Sequence, residues 1–131
     1  MQSAPTLPAA PAQSSLFDES RKRFQEGILP HIPILTLDRD GNIQSLTRAA
    51  RAALEYAPDD RIDECFFSHV HKRNMRRVMR DLAHIVCRGK QRAQWLLRLR
   101  TGNNRWRWYR ASARNHLGQQ ENHILVRLRA V

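Results

Sequence analysis

Between Gln94 and Asn115 the chain alternates apolar and polar residues twice, as QWLLRLR and then RWRWYRASARN, with TGNN bridging the two runs. Period-two alternation on both sides of a Gly-Asn pair predicts a β-hairpin. Gly102 and Asn103 are residue types that tolerate the positive φ of a tight primed turn. With Thr101 set opposite Asn104, Leu99 faces Trp106, Leu97 faces Trp108 and Trp95 faces Arg110. That register gathers Trp95, Leu97, Leu99, Trp106 and Trp108 on one face. The other face then carries Arg98, Arg100, Arg105 and Arg107, with Leu96 and Tyr109 beside them. A change of one residue in loop length would exchange the faces.

The rest of the pattern falls into short elements. Residues 1–13 are uncharged and rich in Ala, Pro and Gln, which predicts a disordered tail. Residues 14–28 predict an amphipathic helix: Ser14 or Ser15 starts it, Leu16, Phe17 and Phe24 follow helical spacing, and Gly27 stops it. The domain proper is expected over 29–131. Leu29 to Leu37 reads as a strand interrupted by two prolines, Asp38 to Asn42 as a tight turn, and Ile43 to Leu46 as a second strand. Thr47 is the expected N-cap of a helix through TRAARAALEY. Cys65-Phe66-Phe67 begins a short apolar segment that ends near Val70.

His71 to Arg88 predicts the longest helix, with Met75, Val78, Met79, Leu82 and Val86 as its apolar stripe and Gly89 as its stop. After the hairpin and a loop at Leu117 to Gln120, the alternation of Ile124, Val126 and Leu128 predicts a last strand. Helices set between antiparallel strands imply an α+β fold, a five-stranded antiparallel sheet with short helices and one long helix on one face.

Charge changes the picture in the C-terminal half. The chain carries a formal net charge of +11, and residues 71–131 hold sixteen basic residues against only Asp81 and Glu121. Twenty of the twenty-three basic residues are Arg, the type suited to bidentate carboxylate or phosphate contacts. An anionic partner is therefore in view: nucleic acid, a membrane surface or an acidic protein face. Cys65 and Cys87 are too few for a disulfide framework, no apolar run reaches membrane-spanning length, and no signal-peptide order is present, so a cytoplasmic setting is expected.

Several residues in this order are similar to the PAS (Per-Arnt-Sim) sensor family. Ile34 to Ile43 resembles the family's opening hairpin. Thr47 to Ala50 sits where the family has an Asn followed by small residues, and Glu55-Tyr56 where Gly-Tyr is common. Phe66 to His71 resembles the segment ending in a His-Pro-x-Asp motif, although Lys72-Arg73-Asn74 replaces its last three positions. Thr101 to Trp108 resembles the family's C-terminal hairpin. The resemblance covers Ile34 to Val131. It implies a sensory or protein-interaction module that dimerises and relays a signal to an output element outside this chain. It also implies that the preceding helix, through Leu16, Phe17 and Phe24, docks on the open sheet face or a second subunit, with Trp106 and Trp108 as its partners. An internal cavity for a small-molecule ligand would be lined by Met79, Leu82 and Val86.

The remaining chemistry is thin. Cys65 lies near the adduct-forming position of flavin-binding relatives but lacks their flanking pattern, and His84 falls among arginines rather than on the apolar stripe, so neither flavin nor haem is expected. Cys65, His69 and His71 have no second ligand pair for zinc. Asp38 and Asp40 lack the rest of a calcium loop. No catalytic constellation is visible, and an enzyme is not expected. Arg98 opposite Arg107 and Arg100 opposite Arg105 would be like-charge pairs costing a few tenths to about 1 kcal/mol each. Their candidate counter-charges are Asp18, Glu19 and Glu26, the acids between Asp59 and Glu64 of a second subunit, or phosphate. The alternative function is accordingly a small basic nucleic-acid-binding protein using an Arg-rich face that includes Arg73, Arg76 and Arg80.

Overall fold

The computed structural model describes residues 31–131, and the expected tail (1–13) and N-terminal helix (14–28) lie outside the described residues. Strand β1 (Ile34–Leu37) turns back into β2 (Ile43–Leu46) through Asp38, whose Oδ1 accepts from the backbone N–H of Asp40 at 2.8 Å and of Asn42 at 2.9 Å. This Asx arrangement is the physical content of the Asp-Arg-Asp-Gly-Asn run. Thr47 caps helix α1 (Arg48–Ala53), its hydroxyl accepting from Ala50 N–H at 3.1 Å and donating to the Ile32 carbonyl at 2.7 Å. One 3-10 turn (Phe66–His69) leads into helix α2 (Lys72–Arg88). His71 Nδ1 caps its start and Gly89, at φ +69°, ends it.

Strands β3 (Arg92–Arg100), β4 (Trp106–Asn115) and β5 (Ile124–Ala130) complete a five-stranded antiparallel sheet in the order β2-β1-β5-β4-β3. The last strand thus enters between the first hairpin and the second, and the connection from β2 to β3 carries the helices across one face. On that inner face Leu35, Leu37, Trp95, Leu97, Leu99, Tyr109, Ile124, Val126 and Leu128 bury against Val78, Leu82 and Ile85 of α2, with Leu54 and Phe66 closing the end. Burying such side chains gives roughly 1.5–3 kcal/mol each, so this layer is the main stabilising term.

The inward stripe of α2 differs from the expected one. Ile85 and Asp81 are buried with Val78 and Leu82, whereas Met79 is 45% exposed. Asp81 is tolerated there because Trp95 Nε1 donates to its Oδ2 at 2.9 Å and Lys90 Nζ to its Oδ1 at 3.2 Å. Burial alone would push this carboxyl up, but the indole and ammonium more than offset that and hold it below the usual carboxylate range.

The hairpin register is displaced by one residue from the expected one. Arg100 pairs with Trp106, Leu99 with Arg107, Arg98 with Trp108, Leu97 with Tyr109 and Trp95 with Ala111. The turn holds three residues, Gly102 to Asn104: the Asn104 N–H donates to the Thr101 carbonyl at 2.9 Å, and Thr101 N–H to the Arg105 carbonyl at 2.8 Å. Asn104, at φ 61°, takes the left-handed position that follows a type I turn in such loops. Gly102 has a different role. Its N–H donates to the Leu54 carbonyl at 2.8 Å, and a Cβ there would meet the Glu55 carbonyl oxygen at 2.3 Å.

The turn is therefore seated on the end of α1, and space rather than φ demands glycine. Gly102→Ala is expected to lower stability by about 1–3 kcal/mol in urea unfolding, because backbone must move to make room. Asn103→Ala, in the same loop, serves as the comparison and should cost less.

Candidate functional site

Two features of the folded domain can recognise something. The first is an apolar groove of about 310 Å³ between the outer side of α2 and the β1–β2 turn. Met79, Leu82, Ala83 and Val86 supply its helical wall, Phe67 and Ile124 its floor, and Asp38, Arg39 and Asp40 its polar rim. The structure thus brings together the three residues expected to line a cavity, Met79, Leu82 and Val86. The space lies at the seam between α2 and the β1–β2 turn. Phe67 stands against Gly41, where a Cβ would meet Phe67 Cε2 at 2.5 Å. Gly41 also has φ +83°, so both its backbone and its missing side chain shape the groove floor. Met79 at the mouth suits an adaptable apolar contact.

The second feature is the outer sheet face. In the observed register its outward positions include Arg92, Arg98 and Arg100 on β3, Arg110 and Arg114 on β4, and Arg127 and Arg129 on β5. The remaining outward residues of these three strands are Gln94, Leu96, Trp106, Trp108, Ser112 and Leu125, so none is acidic. Trp106 and Trp108 are 42% and 43% exposed. They are not on the core face with Trp95, Leu97 and Leu99, as the two-residue turn implied. Arg98 lies over Trp108 with its Cζ 4.6 Å from the ring centroid, and Arg100 over Trp106 at 4.9 Å. Each is a cation–π contact in place of the expected like-charge pair. His71 packs edge-on against Trp106 at 4.7 Å.

Arg105 and Arg107 leave the expected anion-binding set. Their counter-charge is Glu55, at the end of α1: Arg105 Nε donates to Oε1 at 3.0 Å, Arg105 Nη2 donates to Oε2, and Arg107 Nη1 lies 3.5 Å from Oε2. Neither the N-terminal acids nor a second subunit is needed to neutralise them. The Arg105 guanidinium holds the Glu55 carboxyl at about 2. Glu55 itself sits at φ 63°. The sequence did signal this position, because Glu55 stands where the resembled family usually has glycine.

The other residues singled out in the sequence are dispersed. His69 Nε2 lies 2.8 Å from the Asp63 carbonyl oxygen and its Nδ1 3.5 Å from the Tyr56 hydroxyl, while His71 Nδ1 caps α2. Among the described residues no group of three His, Cys, Asp or Glu side chains could hold a metal ion. Leu16, Phe17 and Phe24 lie outside the described residues. Among the described residues no helix is long and apolar enough to cross a membrane.

Comparison with known proteins places this geometry. The profile of the "PAS fold" family matches residues 31–131. No curated protein matches the chain significantly. Among solved structures, PAS-B of Drosophila melanogaster Cycle with bound ethylene glycol superposes with a TM-score of 0.65 at 12% identity, covering 76% of this chain and 100% of that one. A domain of a sensory box sensor histidine kinase/response regulator from Geobacter sulfurreducens gives a TM-score of 0.57 at 21% identity, over 89% and 96% of the two chains. The PAS domain of the Cronobacter turicensis RpfR quorum-sensing receptor, in complex with BDSF, gives 0.60 at 16% identity, over 77% and 94%. At these identities the likeness is one of fold.

The Glu55 geometry has a direct consequence in acid. A carboxylate held near 2 contributes stability that is fully present above its ordinary value of 4.5 and is lost as pH falls from there through about 2. Glu55→Gln is expected to destabilise the protein at pH 7 and to flatten the acid limb between pH 4.5 and 2, so that the two proteins converge near pH 2. Thermal unfolding across that range checks it.

Proposed function

Because the chain belongs to the PAS fold family, we propose that it acts as a sensory module whose signal enters through the groove at Met79, Leu82 and Val86. The observation that carries this reading is an apolar groove, open at Met79, between α2 and the β1–β2 turn. Its volume of about 310 Å³ suits a small apolar molecule or chain. The polar rim at Asp38, Arg39 and Asp40 would meet a head group. Occupancy of the groove would couple α2 to the β1–β2 turn, and that change in packing is the signal passed to an output element. We place the protein in a reducing, cytoplasmic setting, in keeping with the two free cysteines, Cys65 and Cys87.

Self-association belongs to the same reading. A two-fold dimer through the outer sheet face would set the arginines of one copy against those of the other, which like-charge repulsion disfavours. The segment 14–28, with Leu16, Phe17 and Phe24, is the better candidate for the contact.

Two measurements test these statements. Titration with the fluorophore 1-anilinonaphthalene-8-sulfonate should show enhancement with the wild type and a drop of about tenfold in affinity with Ala83→Trp, which fills the groove from an exposed helical position. Equal binding by both proteins would remove the groove from the account. Sedimentation of the whole chain and of one lacking residues 1–27 should give a dimer and a monomer respectively; a monomer in both would remove the dimer.

A further inference from the structure

The outer sheet face carries a charge that the fold does not use. Of the seven outward arginines, Arg98 and Arg100 stack on tryptophans, and none of the seven has an acidic partner among the described residues. Arg110 lies directly opposite Arg129 on the neighbouring strand, and Arg92 opposite Arg114. Like charges in these positions are destabilising, so the sheet keeps them at a cost to its own stability. Around the Arg110–Arg129 pair the face is concave, with a cleft of about 620 Å³ lined also by Arg77, Leu96, Ser112 and Arg127. Arg77 extends this basic lining from the sheet to α2.

Three properties narrow the occupant. The lining holds guanidinium, hydroxyl and amide groups and no acid, which suits phosphate. The basic row is long, since β3 from Arg92 to Arg100 spans roughly 26 Å at about 3.3 Å per residue, more than one small anion occupies. Trp106 and Trp108 stand in the same face, half-exposed and flanked by arginine, as a stacking surface for flat rings. The chain's own first thirty residues carry three acidic and three basic residues, so they cannot neutralise the face. A rigid duplex would meet the arginines with its backbone but could not lay its bases on the tryptophans.

We infer that the outer face of β3, β4 and β5 binds single-stranded nucleic acid, with Arg77, Arg110, Arg127 and Arg129 holding the phosphodiester backbone in the cleft and Trp108 and Trp106 stacking bases beside it. This site is separate from the groove at Met79, on the opposite face of the sheet, and does not depend on its function. It also differs from the arginine set the sequence suggested, since Arg105 and Arg107 are engaged by Glu55.

The test is fluorescence anisotropy of a labelled oligo(dT) of about 15 nucleotides, titrated with the full chain at about 50 mM salt and above. Binding should weaken steeply with salt. The double variant Arg110→Gln/Arg129→Gln should bind at least about tenfold more weakly, with the slope of log affinity against log salt reduced by about 1.4, at ~0.7 for each phosphate that is no longer neutralised. Arg48→Gln/Arg61→Gln removes the same charge from exposed positions outside the sheet and should stay within about threefold of wild type. Trp108→Ala should bind about tenfold more weakly, with Trp108→Phe restoring most of the affinity. Circular dichroism and thermal unfolding of each variant confirm that these surface changes leave the fold intact. No binding by the wild type at low salt, an equal loss in the Arg48/Arg61 control, a neutral Trp108→Ala, or duplex bound as tightly as single strand would each overturn the assignment.

Discussion

The position of the C-terminal hairpin depends on one carboxylate. Glu55 receives Arg105 and Arg107 from the start of the hairpin's second arm, while the backbone beside it accepts the Gly102 N–H and the Tyr109 hydroxyl reaches the Ala53 carbonyl at 2.6 Å. The end of α1 is thereby tied to the hairpin at its turn, at its first paired residues and at a buried aromatic. This tie fixes which residues of β4 face inward. Arg107 and Tyr109 point toward the helices, and each finds an acceptor there. Once they do, Trp106 and Trp108 have no alternative to the outer surface, and the whole distribution of charge on the sheet follows.

A buried acid works in the same way at the other end of the layer. Asp81 joins α2 to β3 through the Trp95 indole and takes Lys90 as its counter-ion. With Asp81 enclosed, Glu121 is the other acid in residues 71–131, and the sheet's outer positions contain none. Glu55 and Asp81 thus act inward, as ties between layers, and leave the outward field uncompensated. The domain is consequently divided: the apolar groove lies at the helix–turn seam and the uncompensated arginines on the outer sheet face.

Much of the fold was legible because its signals are local. Thr47 as a cap, Asp38 to Asn42 as a turn, Gly89 as a helix stop and the alternation of β3 and β5 each follow from a few neighbouring residues. Met79, Leu82 and Val86, expected to line an internal cavity, share a helical face and stand together at the helix–turn groove. The N-terminal segment from Ser14 lies outside the described residues, so its expected helix and docking have no counterpart in the fold as described. What sequence could not decide was the hairpin register. Loops of two and three residues both fit Thr-Gly-Asn-Asn, and the choice rests on contacts between Gly102 and Leu54 that are distant in sequence. The assignment of Ile85 and Asp81 to the core was missed for a related reason: an aspartate on the apolar stripe makes sense only once Trp95 is seen above it. Glu55 at a position usually held by glycine was the one local clue to the missing counter-charge.

The three-residue turn also bears on how the hairpin avoids a wrong pairing. In the slipped register Arg98 would lie against Arg107 and Arg100 against Arg105, whereas in the native one Arg98 and Arg100 rest on Trp108 and Trp106 and the other two reach Glu55. The slip would replace stacked and ion-paired arginines with mutually repelling ones, would turn Trp106 and Trp108 toward the core and would expel Tyr109 from it. The arginines therefore proofread the strand alignment: the four that stack on tryptophan or pair with Glu55 in the native register would repel one another in its nearest misfolded competitor.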